Sequence, residues 1–284
     1  MIFPTILSRW TSILFFKSEG FFPIQTSRGC PHRCGFCYNS VLNHRRWRGK
    51  SAKRVLDETE YILEKLPNVK CIDPVDDNFF VNSKRVEDIC RGLIERRLGV
   101  SWRANCKFDY ISLYDGEFIS LLERSGCVEI DFGGETGSDR MLSLIGKDVT
   151  SEQMVTAVEN LKKWGSSIRP YVSWTSSLPT ETEEDLRQTF NLMDAMTEAN
   201  EKTQYFGIFI YVPYPSPLLE SLSSEFRLPN SLKEWSSIDI FHFSPPRHQG
   251  KYIDRLEAIA ATSIFTFYPE SRVKGMASPY RLGY

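Results

Sequence analysis

Six short apolar runs alternate with stretches of helical period along this chain, and that alternation limits the possible folds more than any other feature. The runs cover residues 21–26, 69–75, 100–106, 127–133, 167–177 and 204–212. Each reads as a short buried strand. Between them, apolar residues recur every three to four positions. Val55, Leu56, Ile62, Leu63 and Leu66 form one such stripe, and Val86, Ile89, Cys90, Leu93 and Ile94 form another. Residues 115–125 make a third helix, closed by Gly126. Met154, Val155, Val158 and Leu161 follow, behind a capping box of Thr150 and Gln153. Leu186, Phe190, Met193 and Met196 supply the last stripe, with the methionines read as core. Strands that alternate with helices pair in parallel through right-handed crossovers. The product is a doubly wound sheet or a barrel. At 284 residues and 41% hydrophobic, the chain suits one large domain, or one with an appendage.

The first run leads into IQTSRGCPHRCGFCY, residues 24–38, which holds Cys30, Cys34 and Cys37 in a CxxxCxxC spacing. Three thiolates in one loop can hold one metal centre. A structural zinc site usually takes four protein ligands, often as two separated pairs, and no second pair follows here. A four-iron cluster takes one cysteine per iron. Three cysteines therefore leave one iron open to a substrate or cofactor, as catalytic metal sites do. The chain has seven cysteines, an odd number with three in one cluster, which favours a reducing compartment over a disulfide framework. Its net charge of −1 gives no global argument for nucleic acid or a membrane surface.

The fuller context TSRGCPHRCGFCYN resembles the cluster loop of the radical S-adenosylmethionine (radical SAM) superfamily. It is most similar to the branch whose members often carry an N-terminal cobalamin-binding domain. The resemblance implies a 4Fe-4S cluster on Cys30, Cys34 and Cys37, with Phe36 beside the cofactor. It also implies that S-adenosylmethionine chelates the open iron and is split to methionine and a 5′-deoxyadenosyl radical. Asp77 and Asn78, in DDNFF after the second strand, stand where the family holds the amino group of S-adenosylmethionine. Taken alone, those two residues fit a turn that caps the next helix equally well. FGGETGSDR, residues 132–140, is the second strong match. Gly133 permits close backbone approach, while Glu135 and Ser138 offer polar contacts to the cofactor. Asp139 also fits a plain helix N-cap.

Two departures stand out. The family's Gly-Leu-Pro-Gly-Glu-Thr pattern reads Ser177-Leu178-Pro179-Thr180-Glu181-Thr182 here, with both glycines replaced. The later PYPSPLLE stretch is one residue shorter than the family pattern and lacks its glycine, with Ser216 in that stretch.

The resemblance selects an α/β fold, a partial (β/α)6 TIM-like barrel over residues 21–216. A leader helix over 1–20 and a C-terminal helical extension over 217–284 flank it. No cobalamin domain precedes the barrel in this sequence, so cobalamin is expected only in trans or in a longer native chain. The basic run HRRWRGKSAKR, residues 44–54, reads as a solvated loop or as a positive rim near the cluster; its Trp47 and Arg48 match a Trp-Arg pair of the family. The expected activity is hydrogen abstraction from an unidentified small molecule or peptide, with methyl transfer or ring formation as possible outcomes. The expected electron donor is a flavodoxin or ferredoxin, in the cytoplasm, with no membrane span and no nucleic acid. A binding protein that has lost catalysis stays open, and so does a zinc or nucleic-acid module built on residues 30–54.

Overall fold

The computed structural model describes residues 20–211 and 231–235. The expected leader helix over 1–20 lies outside the described residues except for its last position, Gly20. So do the altered loop after residue 212 and almost all of the extension. In chain order the elements are β1 (Phe21–Ile24), β2 (Ser27–Arg28), α1 (Asn39–Leu42), β3 (Arg48–Gly49), α2 (Ala52–Lys65) and β4 (Cys71–Pro74). Then come a 3-10 turn (Phe79–Val81), α3 (Ser83–Glu95), β5 (Ser101–Cys106), α4 (Phe108–Leu113), α5 (Gly116–Arg124), β6 (Cys127–Glu135) and α6 (Asp139–Leu144). The last elements are α7 (Ser151–Trp164), β7 (Arg169–Ser176), α8 (Glu183–Ala199), β8 (Gln204–Ile210) and α9 (Leu232–Trp235).

Six strands form one sheet in the order β1-β4-β5-β6-β7-β8, with every pair parallel. A doubly wound sheet must reverse its strand order at a switch point. This order never reverses, so the sheet winds in one direction, as a barrel wall does. β2 and β3 form a separate antiparallel ribbon. The capping box on α7 is present, with Thr150 and Gln153 bonded reciprocally. A second one, Thr182 with Asp185, opens α8. The pattern missed α4 and α6, because six residues give too few turns for a periodic signal.

The strands are not apolar on both faces, as a covered parallel sheet usually is. Trp102, Ala104, Ile130, Val172 and Trp174 are buried in the main core. The ring of Phe108, at the start of α4, stacks on Phe132 with centroids 4.2 Å apart. The alternate residues are polar and line a cavity instead. Register stacks them in rows. Arg103 lies opposite Glu129 and Glu129 opposite Arg169. In the next row Asn105 lies opposite Asp131, and Asp131 opposite Tyr171. Gly133 and Ser173 form the row above.

Candidate active site

The three-cysteine loop leaves the carboxyl end of β1 and is fastened there by buried polar contacts. Asp76, just past β4, is fully buried. Its carboxylate accepts hydrogen bonds from the backbone N–H and hydroxyl of Thr26 at 2.7 and 2.5 Å, and from those of Ser27 at 2.8 and 2.6 Å. Arg85 of α3 donates to the Thr26 hydroxyl at 2.7 Å and to its carbonyl at 3.1 Å. Asp77 grips the loop on both sides of the cysteines. Its Oδ2 accepts from the Gly29 N–H at 2.7 Å and its Oδ1 from the Tyr38 hydroxyl at 2.6 Å. The opposite flank is tied by Gly35 N–H, which donates to the Ile145 carbonyl at 2.7 Å. Gly29 holds a φ of 83°, and a Cβ there would lie 2.0 Å from the Arg46 carbonyl oxygen, so glycine is required.

Cys30, Cys34 and Cys37 share the wall of one cavity of about 440 Å³. Burial pushes the Cys30 thiol up to about 11, and the neighbouring Cys34 and Cys37 add to the effect. Burial also raises Cys34, against the pull of Lys147. Asn39 is buried, and its Nδ2 lies 3.8 Å from Cys37 Sγ. Asn43 Nδ2 donates to Asn39 Oδ1 at 2.6 Å and so fixes the orientation of that amide. Among the described residues no three His, Cys, Asp or Glu converge on a single-ion site. The cavity that the three loop thiols border is larger than one ion, and a four-iron cluster takes one thiolate per iron.

Of the expected site residues, Phe36, Asp77, Asn78, Gly133 and Glu135 line the same cavity as the cysteines. Asn78 is buried and caps the 3-10 turn, with its Oδ1 accepting from the Phe80 N–H at 3.0 Å. Its Nδ2 is buried without a partner, an orphaned donor beside the cavity that a bound acceptor would satisfy. Glu135 sits at φ 65°. Its Oε2 accepts from the Thr175 hydroxyl at 2.9 Å, and its Oε1 pairs with Lys147 Nζ at 2.9 Å. Gly133 makes room for that pair, since a Cβ would lie 2.4 Å from Glu135 Oε1 and 2.9 Å from Lys147 Nζ. Ser138 is elsewhere. It is fully buried, caps α6 and donates to Asp185 Oδ1 at 2.6 Å. Its hydroxyl is spent on the helix start and on α8, so it does not line the cavity.

Lys147 is the residue that sequence reasoning passed over. It lies in GKD between α6 and α7 with no local pattern to mark it. Burial lowers the pKa of its ammonium, but Glu135 and then Cys34 outweigh that, so the net direction is up and the group is charged. Its Nζ also lies 5.7 Å from the centre of the Phe36 ring.

In the row of the sheet nearest the strand starts, Arg103 lines the cavity and is held by ion pairs. Arg103 bonds Asp73 at 2.8 Å and Glu129 at 3.1 Å, and Arg169 also pairs with Glu129. In the next row, burial and then Glu129 lift the Asp131 carboxyl to about 7. The cavity wall thus combines a paired arginine, polar strand residues and the loop thiols.

Residues 24–193 match the family model described as the Radical SAM superfamily. The chain belongs to that superfamily. Radical SAM proteins use a 4Fe-4S cluster and S-adenosylmethionine, and the donor set around this cavity fits both. Over 228 residues the chain is 31% identical to an uncharacterized methyltransferase of Pyrococcus horikoshii, covering 79% of this chain and 47% of that protein. Over 166 residues it is 31% identical to an anaerobic magnesium-protoporphyrin IX monomethyl ester cyclase of Rubrivivax gelatinosus, covering 58% of this chain and 29% of that one. It therefore spans about half or less of the length of these relatives. The structure of a radical S-adenosylmethionine methyltransferase, TsrM, from Kitasatospora setae, with cobalamin and a [4Fe-4S] cluster bound, superposes with a TM-score of 0.58. The identity there is 22%, covering 68% of this chain and 34% of that one, which speaks for the fold alone. With family membership in hand, the zinc and nucleic-acid readings of the cysteine loop give way. Among the described residues no helix is long and apolar enough to cross a membrane.

Proposed function

We propose that this chain is the catalytic barrel of a radical SAM enzyme, with Cys30, Cys34 and Cys37 as the three ligands of the cluster. The observation that carries this reading is the three loop thiols on the wall of one cavity, which Cys106 of β5 also lines, beside the pair of buried Lys147 with partly buried Glu135. When bound, the cluster supplies the single electron that splits the sulfonium of S-adenosylmethionine to methionine and a 5′-deoxyadenosyl radical. The chain's own residues do the rest. Asp76 and Asp77 hold the loop in place. Lys147 offers buried positive charge to a carboxylate. Asn78 Nδ2 offers an unused donor, and Glu135 and Phe36 stand beside the same space.

The relatives named above are a methyltransferase and a ring-forming cyclase by description. We read methyl transfer or ring closure after hydrogen abstraction as the two reaction classes open to this barrel. Cobalamin would come from a separate protein or a longer native chain. The setting is a reducing cytoplasm, the barrel takes residues 21–216, and the reductant is a flavodoxin or ferredoxin. The test is anaerobic reconstitution followed by iron, sulfide and 5′-deoxyadenosine analysis. About four irons per chain are expected. Cys30→Ala, Cys34→Ala or Cys37→Ala abolishes them. Cys71→Ala, Cys90→Ala and Cys127→Ala do not, since those buried thiols lie off the cavity. Stoichiometric zinc without iron refutes the reading.

A further inference from the structure

The ribbon at the root of the cysteine loop carries charge that nothing in the described structure neutralises. β2 and β3 pair so that Arg28 lies directly opposite Arg48. Like charges placed opposite each other across a ribbon destabilise it. Arg33, Arg45 and Arg46 are also exposed, and all five arginines fall within 21 positions that contain the three cysteines. Among the described residues none of the five forms an ion pair; Arg28 is bonded to Gln25 and Arg48 to Asn43, both neutral. The basic residues that follow behave differently. Lys50 and Arg54 pair with Glu58, and Lys53 pairs with Asp57. The nearby carboxylates of Asp76 and Asp77 are committed to the loop itself. The whole chain has a net charge of −1, so the patch is a local excess rather than a general basicity.

Position narrows what the patch binds. None of the five arginines lines the cavity, so a small anionic substrate held there does not meet them. They are nonetheless close to the metal-ligand loop in the chain and in space. Gly29 joins Arg28 to Cys30, and the Arg46 carbonyl packs against Gly29. His44 and Arg45 both hold a left-handed φ, at 48° and 57°, which turns the chain back toward β3. A partner seated on this surface is macromolecular, acidic and separated from the cysteines by one layer of backbone. The family's chemistry consumes an electron from outside.

We propose that Arg28, Arg33, Arg45, Arg46 and Arg48 form the docking surface for a small acidic protein that delivers single electrons to the cluster. The inference rests on the reading of the cysteines as cluster ligands. In the step it implies, the anionic flavin hydroquinone of a flavodoxin-type donor loses one electron and becomes the neutral semiquinone. The cluster takes up that electron, and no atoms are exchanged. Complementary charge steers such encounters and raises their rate by one to three orders of magnitude at low salt.

The experiment uses the full chain, reconstituted anaerobically, with iron and sulfide measured first; absence of iron refutes the cluster reading itself and is seen before any rate is taken. Stopped-flow absorbance then follows cluster reduction by reduced flavodoxin and, in parallel, by the methyl viologen radical cation. In the unmodified protein, the flavodoxin rate falls as salt rises. Arg45→Glu with Arg46→Glu, and separately Arg48→Glu, slows flavodoxin on the order of ten- to a hundredfold at low salt. The viologen rate stays the same or rises. Arg45→Lys with Arg46→Lys retains most of the flavodoxin rate. Binding of oxidised flavodoxin to the metal-free protein, read by calorimetry, weakens in the same order and needs no cluster. Rates insensitive to salt and to charge reversal overturn the proposal. Equal slowing with both reductants also overturns it, because the loop and not the docking is then at fault. Charge reversal that abolishes binding of a single-stranded RNA but leaves the flavodoxin rate unchanged reassigns the patch to nucleic acid.

Discussion

Ser177→Gly is expected to stabilise the metal-free protein, and the structure supplies both terms. Ser177 ends the β7 strand region in the left-handed conformation, at φ 62°. An L-residue there costs about 1–2 kcal/mol relative to the right-handed region. Glycine relieves that cost but gives back roughly 0.5–1 kcal/mol through its freer unfolded chain. The second term is the side chain. Ser177 is 5% exposed and its hydroxyl has no hydrogen-bond partner. A buried polar group left unsatisfied costs about 1–3 kcal/mol. The net expectation is a gain of about 1–4 kcal/mol. At this chain length each kcal/mol raises the melting temperature by about 2–4 °C. Ser177→Ala separates the terms, because it removes the hydroxyl and keeps the strained backbone; its gain should be the hydroxyl term alone. The assay is urea and thermal unfolding by circular dichroism, on protein freed of metal. A glycine variant less stable than the unmodified chain refutes the strain argument. An alanine variant less stable than the unmodified chain shows that the hydroxyl is satisfied. Cofactor affinity is the companion measurement. If the orphaned hydroxyl is held ready for the cofactor, both variants bind S-adenosylmethionine more weakly while folding more tightly.

Lys147→Met removes the cation that pairs with partly buried Glu135, and should cost about 3–5 kcal/mol in urea unfolding; adding Glu135→Gln should recover most of it, and a double variant no better than the single one argues that the pair is not coupled. Asp131 is held up to about 7 by burial and Glu129, so the folded chain keeps a proton that the unfolded chain releases above about pH 4. Its contribution is therefore full at low pH and is lost as pH rises toward about 7, and Asp131→Asn should gain on the unmodified protein across that window, by up to about 4 kcal/mol at pH 8. A stability difference that is the same at pH 5 and pH 8 contradicts this. Asp77→Ala cuts the ties to Gly29 and Tyr38, so the reconstituted protein should lose iron to a chelator several-fold faster, while Tyr38→Phe, which cuts one tie to a half-exposed hydroxyl, should have a smaller effect. Iron loss unchanged in Asp77→Ala would remove Asp77 from loop positioning.

The runs that became the six strands, the two capping residues Thr150 and Thr182, and the CxxxCxxC loop all carry local signals, since each depends on neighbours within a few positions. The replaced glycines were legible only through the resemblance to the family pattern. Ser177 and Thr180 do take the left-handed conformation that makes glycine the easy residue there, at φ 62° and 63°. The strand runs, however, read only as short buried strands, with no distinction between their two faces. Their alternation of Arg103 with Asn105, Glu129 with Asp131 and Tyr171 with Ser173 was the available sign of a polar lumen, and it has the two-residue period of a strand with two unlike faces.

What the sequence by itself determined is the set of elements, their order and the chemistry of the cysteine loop, because periodicity and motif spacing are properties of adjacent residues. Only the tertiary structure decided which side chains reach the cavity. Ser138 and Lys147 lie nine positions apart, yet the first is consumed by a helix cap and by Asp185, while the second is driven into the site to pair with Glu135. Asp77 reads as a ligand-binding acid, yet it spans 48 positions to bind Gly29 and 39 to bind Tyr38. Whether a polar group faces cofactor, core or loop depends on which distant partner first satisfies it, and that pairing exists only once parallel strands far apart in the chain lie side by side.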